Sequence, residues 1–272
     1  MEQVTHAGPG PSAAGAARTG RYDIRGLAEP DATAPETAVI TGQSAELDAA
    51  DLTTRQINLE LRRLLAAGVT DVTLLNPRAR HSIAVGLLLR CRIRISGSLG
   101  YFACGLIDGP EIHITGRVGW SAAENMMSGV VVVDKNAGSL TGAAMRGGDL
   151  VVRGHVGART GIDQKGGTII VGGNAGSMTG FMLQRGRQII CGDVGAGLGD
   201  SMYDGAIYVG GAIASLGVDC VEAEFTAADE ELIDRKFRIY QLDRPASFRK
   251  FTCGRKLWNY DNLEPSERKL VL

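Results

Sequence analysis

The chain has 272 residues, 38 of them glycine, with 5% aromatics and a formal net charge of −1. That balance leaves no basic footprint for nucleic acid or an anionic membrane, and no apolar run reaches the roughly 18 residues of a membrane-spanning helix. The start lacks a basic stretch followed by an apolar one, so a secretory signal is not expected; five cysteines without a CxxC read as reduced cytoplasmic thiols, not a disulfide frame, zinc site or iron–sulfur cluster.

Residues 1–45, rich in Ala, Gly, Pro, Ser and Thr and without periodicity, read as a flexible N-terminal arm. Residues 46–85 read as a capping helix and a lead-in strand. Thr53 and Gln56 make a capping box, Ile57, Leu61, Leu64 and Leu65 follow at helical spacing, and Gly68 stands where a C′ glycine belongs. A short strand from Val72 to Leu75 leads to Asn76-Pro77 and then to His81. A lone histidine in such a place reads first as a structural hydrogen-bonder; as a functional residue, His81 is a candidate for an interface.

From about residue 86 to 215 the chain repeats every 19 residues. Glycine recurs at Gly100, Gly119, Gly138, Gly157, Gly176 and Gly195, and again at Gly129, Gly148, Gly167, Gly186 and Gly205. A third column holds Gly116, Gly154, Gly173, Gly192 and Gly211. Two apolar columns keep the same step: Ile93, Ile112, Val131, Leu150, Ile169, Gln188 and Ile207, and, two residues on, Ile95, Ile114, Val133, Val152, Val171, Ile190 and Val209. A spacing of two puts both on one face of a strand. A fixed short period with β-branched columns predicts a solenoid: an all-β, single-stranded right-handed β-helix of about six or seven coils, capped by helices. Glycines, and the Asn136, Asn174 and Asp193 column, are expected to supply left-handed corners. Gly195 to Gly199 continue these columns, so they do not read as a phosphate loop. His113 and His155 also fall on repeat positions without metal-ligand spacing. No catalytic, cofactor-binding or metal-binding set can be assembled.

Residues 216–272 read as a helix, Glu224 to Arg238, followed by a docking tail. Both flanking helices serve equally as caps for open strand edges or as docking elements. In the tail, Arg249, Arg255, Trp258 and Tyr260 have the aromatic and arginine character of protein interfaces.

The segments NAGSLTGAAMRGGDLVVRG (136–154) and HVGARTGIDQKGGTIIVGG (155–173) resemble the GXXGXXXG domain that closes the large subunit of glutamate synthase. The same domain forms one of the subunits of formylmethanofuran dehydrogenase and of the related formyltransferase/hydrolase complex. The insertions NPRARHSIAVGL (76–87), GWSAAENMMSG (119–129), GFMLQRG (180–186) and GDSMYDGAIYVGG (199–211) look closer to the stand-alone glutamate synthase-like subunits, namely that of N-methylglutamate synthase and the GlxC proteins. The resemblance implies a non-catalytic scaffold in a cytoplasmic hetero-oligomer. Its partners would be an amidotransferase-like subunit and a glutamate synthase-like subunit with FMN and an Fe-S cluster, acting in methylamine metabolism. A formyltransferase/hydrolase scaffold, or a free-standing enzyme with its site in a groove of the β-helix, are the alternatives.

Overall fold

The structure, a computed structural model, describes residues 38–255. Its elements in chain order are β1 (Ala38–Thr41), β2 (Ser44–Asp48), α1 (Thr54–Ala66), β3 (Asp71–Leu75), β4 (Arg92–Ser96), β5 (Asp108–Ile114), β6 (Ser128–Val133), β7 (Asp149–Val152), β8 (Lys165–Val171), β9 (Arg185–Ile190), β10 (Ala206–Val209), β11 (Cys220–Ala223), α2 (Ala227–Tyr240) and β12 (Arg249–Cys253). All twelve strands form one sheet in the order β1 to β10, then β12 and β11. The chain is a β-solenoid of about seven turns.

From β2 to β10 every strand is parallel to the next. The register is the one the apolar columns require: Ile93 lies opposite Ile112, then Val131, Leu150, Ile169, Gln188 and Ile207. These side chains fill one continuous interior. The parallel ladder begins earlier than residue 86, because β2 and β3 already belong to it. β1 and β2 also fall partly inside the segment expected to be a flexible arm. Their signal is weak because only Ala45 and Leu47 of β2 are buried and β1 contributes no buried residue.

The glycine columns do two different jobs. Gly129, Gly148, Gly167, Gly186 and Gly205 take positive φ, from 73° to 102°. The column from Gly100 to Gly195 does not, and is needed for close approach. A Cβ on Gly157 would stand 2.5 Å from Ser139 N, and one on Gly176 would stand 2.5 Å from Ala158 N. The Asn136, Asn174 and Asp193 column is likewise not a left-handed corner. Each Oδ1 accepts the backbone N–H of a residue in the following coil, His155, Asp193 and Ala212, at 3.0, 3.0 and 2.8 Å.

The left-handed residues lie elsewhere, at every second position of a ribbon opposite the sheet. Phe102, Cys104 and Leu106 have φ near 58°, and their equivalents Ser121, Ala123 and Asn125 match them. Alternation lets successive N–H groups donate to the next and the previous coil: Phe102 to Trp120 O, Cys104 to Ile83 O, Leu106 to Glu124 O. The first ribbon has no coil before it, and α1 takes that place. Thr54, Asn58 and Arg62, four residues apart and so on one helix face, bond His81 O, Ser82 O, the Ala84 N–H and Val85 O. The adjoining face of α1 buries Ile57, Leu61, Leu64 and Leu65 in the solenoid interior.

α2 lies along the flank of the last coils. The outward column of the sheet reads Thr73, Arg94, His113 and then Val132, Val151, Ile170, Ile189, Tyr208. Its apolar half is covered by Ile233 and Phe237 of α2 and by Phe248. Lys236 Nζ and Tyr240 Oη both reach Asp149, and Arg153 donates to Tyr240 O and Gln241 O at the helix end. The helix starts at Ala227, later than expected, because Thr226 and Asp229 form its capping box. The strand edge at this end is paired by the antiparallel β12 and β11.

Candidate functional site

Two surfaces concentrate exposed apolar side chains, and both follow from the stacking of coils. On the first coils, His81 stacks on Tyr101 at 4.6 Å and Tyr101 on Trp120 at 5.3 Å, so three rings form a short ladder. Glycine makes room for it: a Cβ on Gly138 would meet Trp120 Cδ1 at 2.5 Å. Phe102 and Leu106, on the neighbouring left-handed ribbon, are half exposed beside it. His81 Nδ1 accepts the Tyr101 N–H at 2.8 Å, which places its proton on Nε2. Sequence reasoning found His81 and missed its two partners. The available signal was the pair of aromatics one repeat apart.

The second surface is the C-terminal rim. Arg249 on β12 forks onto Glu222 of β11 at 2.8 and 2.5 Å and lies 5.2 Å from the centre of the buried Phe251 ring. Arg255 Nε pairs with Asp219 at 2.9 Å. Around these arginines Leu216, Val218 and Val221 are exposed. Arg249 and Arg255 therefore share one rim, while His81 sits on the first coils, far along the stack. Trp258 and Tyr260 lie outside the described residues.

The groups suited to chemistry are engaged in structure. His113 Nε2 meets Asp134 at 2.9 Å and its Nδ1 meets Arg94 at 3.3 Å; Arg153 also reaches Asp134, at 3.2 Å. This line crosses an open groove of about 630 Å³ that ends against Tyr240 and Gln241. His155 Nδ1 accepts the Asn174 N–H at 2.9 Å. Burial pushes the Cys104 thiol up to about 12 and the Cys91 thiol up to about 11. Among the described residues no three His, Cys, Asp or Glu side chains gather as a metal site. Gly195 to Gly199 lie within a coil, where Gly199 N donates to Thr179 O.

Tyr208 and Asp229 tie α2 to the sheet. Burial raises the Tyr208 phenol, and its bond to Asp229 at 2.7 Å raises it further. Burial opposes the Asp229 carboxylate, yet bonds from Lys250, Thr226 and Tyr208 outweigh it and hold the carboxyl well below the usual range.

No family model matches the chain. It is similar to Protein GlxC of Rhizobium meliloti (strain 1021), with 42% identity over 219 residues, covering 79% of this chain and 96% of that protein.

Proposed function

The chain belongs to the family of Protein GlxC, and from that premise we propose that it is a non-catalytic scaffold subunit of a multi-subunit glutamate synthase-like enzyme. The type is that of N-methylglutamate synthase, in which a solenoid spaces an amidotransferase-like subunit from an FMN and Fe-S synthase subunit. The reading rests on the resemblance of the inserted segments. The observation that carries the scaffold part is that each described histidine is committed to a structural hydrogen bond. A histidine that accepts a backbone N–H to hold two coils together is not available as a mobile base.

A solenoid suits this role physically. Each inner coil shares hydrogen bonds with both neighbours along the sheet and along the ribbon, so the two ends of the solenoid keep a fixed separation. The nine parallel strands at about 4.8 Å spacing span roughly 38 Å. Cytoplasmic placement and the absence of cofactor on this chain belong to the same proposal. Within the described residues no helix is long and apolar enough to cross a membrane.

Purify the tagged chain from cells that express its candidate partners, and assay the complex and the isolated chain for glutamine hydrolysis and for glutamate or N-methylglutamate formation. The complex should contain a flavin and iron–sulfur subunit and be active, and the isolated chain should be colourless and inert. Turnover by the isolated chain, or co-purification with formyl-carrier enzymes instead, overturns the proposal.

A further inference from the structure

We propose that Cys220 and Cys253 form a redox-modification site that takes a low-molecular-weight disulfide as its co-substrate and closes into a cross-strand disulfide at the C-terminal rim. The two residues are direct partners in the antiparallel pair of β11 and β12. The flanking pair is hydrogen-bonded, since Gly254 N donates to Asp219 O at 2.7 Å. Bonded and non-bonded pairs alternate along an antiparallel ladder, so Cys220 and Cys253 occupy a non-hydrogen-bonded pair. There the Cα atoms stand about 4.5 Å apart, with side chains on one face and close together. That spacing falls at the short end of the roughly 4.4–6.8 Å range of disulfides. Both sulfurs belong to the same interior cluster, and Cys220 Sγ lies against Gly199, 2.8 Å from where its Cβ would stand. Among the described residues no other two cysteines are strand partners.

The pair divides the labour of thiol–disulfide exchange. Cys253 is the more accessible and attacks first: its thiolate forms a bond to one sulfur of the small disulfide, whose S–S bond breaks and releases one small thiolate. Cys220 is buried, and burial, followed by the neighbouring Cys253, pushes its thiol up to about 11, so it serves as the resolving thiol, held beside Cys253 by the strand pairing. It then attacks Cys253 Sγ and expels the second small thiolate. The two protein thiols are oxidised, the small disulfide is reduced to two thiols, and the protons lost by the cysteines go to the leaving thiolates. The closed loop holds all of α2, and the bond ties the terminal strand β11 to β12, which carries Arg249 and runs on to Arg255.

The test uses the full folded chain incubated with excess glutathione disulfide, alkylated, and mapped by mass spectrometry without reduction. A Cys220–Cys253 linked peptide should appear while Cys104 remains alkylated only after denaturation. Tm should rise by roughly 5–10 °C and return on adding dithiothreitol. Cys253→Ser and Cys220→Ala should each abolish the linked peptide and the rise in Tm. If both thiols stay free, end as separate glutathione adducts or pair elsewhere in the folded wild-type chain, the proposal fails.

Discussion

Gln188 stands in the interior column otherwise held by isoleucine, valine and leucine, and it is fully buried. Its Nε2 donates to Gly161 O at 3.2 Å and to Gln164 Oε1 at 3.0 Å, while its own Oε1 has no partner. Gln164 occupies the column of Met126, Met145, Leu183 and Met202, so two polar residues interrupt two apolar ladders in adjacent coils and meet there. Removing one member of a buried polar pair strands the other, whereas replacing both by apolar groups of similar shape is close to neutral or stabilising. Gln188→Ile alone should therefore cost about 1–3 kcal/mol, and Gln164→Met with Gln188→Ile should recover that loss, as read by denaturant unfolding. A double variant no more stable than the single would show that the Gln188 amide has partners beyond those seen. The glycine columns carry a related lesson. Their period was plain in the sequence, but their two purposes were not, because a glycine required for positive φ and one required for close approach look alike. Gly157→Ala would place a methyl 2.5 Å from Ser139 N and should cost at least about 2 kcal/mol by overpacking. The left-handed ribbon was hidden for the opposite reason: several of its strained positions are filled by Phe102, Leu106, Leu140, Arg159, Met178 and Met182, residues that give no turn signal.

At the scale of elements, α1 was legible from its capping box and apolar spacing, α2 from the acidic residues Asp229 to Glu231 near its start, and the strands from period-two columns. The role of each helix needed the third dimension. α1 was expected as a cap, and its polar face explains how it works: Asn58 gives one hydrogen bond to Ser82 O and receives one from Ala84 N, replacing the coil that would precede the first. Asn58→Ala should lower stability by about 2 kcal/mol by leaving both backbone groups unpaired. Asn58→Asp, which keeps the acceptor for Ala84 N, should lose less. If the alanine variant unfolds at the same denaturant concentration as wild type, water replaces the amide and the cap is dispensable. α2 is fixed by Asp229, which receives Lys250 Nζ at 2.9 Å and Tyr208 Oη at 2.7 Å. Its carboxyl is depressed in the folded state, so its contribution to stability is complete above the unfolded carboxyl value of about 4. That contribution is lost as pH falls below this value toward the lower folded one. Asp229→Asn should cost about 3 kcal/mol at neutral pH, and stability should fall less steeply below pH 4 than in wild type. Parallel pH curves for the two proteins would mean that the ion pair contributes nothing to folding. β12 falls in the segment expected as a docking tail and was not expected as a strand, since its alternation in Arg249-Lys250-Phe251-Thr252-Cys253 buries just one side chain fully.

For the whole molecule, the solenoid keeps two exposed apolar surfaces apart: the ring ladder on the first coils and the rim formed by β11 and β12. The family was legible from the inserted segments, but these surfaces were not. Tyr101 and Trp120, or Val221 and Arg249, come together only when coils stack and β12 inserts beside β10. An assembly that binds one partner at each surface should respond separately to changes at each. Val218→Glu with Val221→Glu puts carboxylates on an exposed apolar rim that already carries Glu222 and Asp219. Tyr101→Ala with Trp120→Ala removes two half-exposed rings. Exposed sites lie outside the interior, so each double variant should keep Tm within a few degrees of wild type. Aromatic anchors typically carry about 2 kcal/mol or more of binding energy, which is about a thirtyfold loss of affinity. Quantitative pull-down of the co-expressed subunits should show the rim variant losing one partner while keeping the other, and the ladder variant doing the reverse. Loss of both partners from either variant would mean that they dock on one another and meet the solenoid at a single surface. Full retention by both would move docking to the flat faces of the coils, and the solenoid would no longer act as a spacer between its ends.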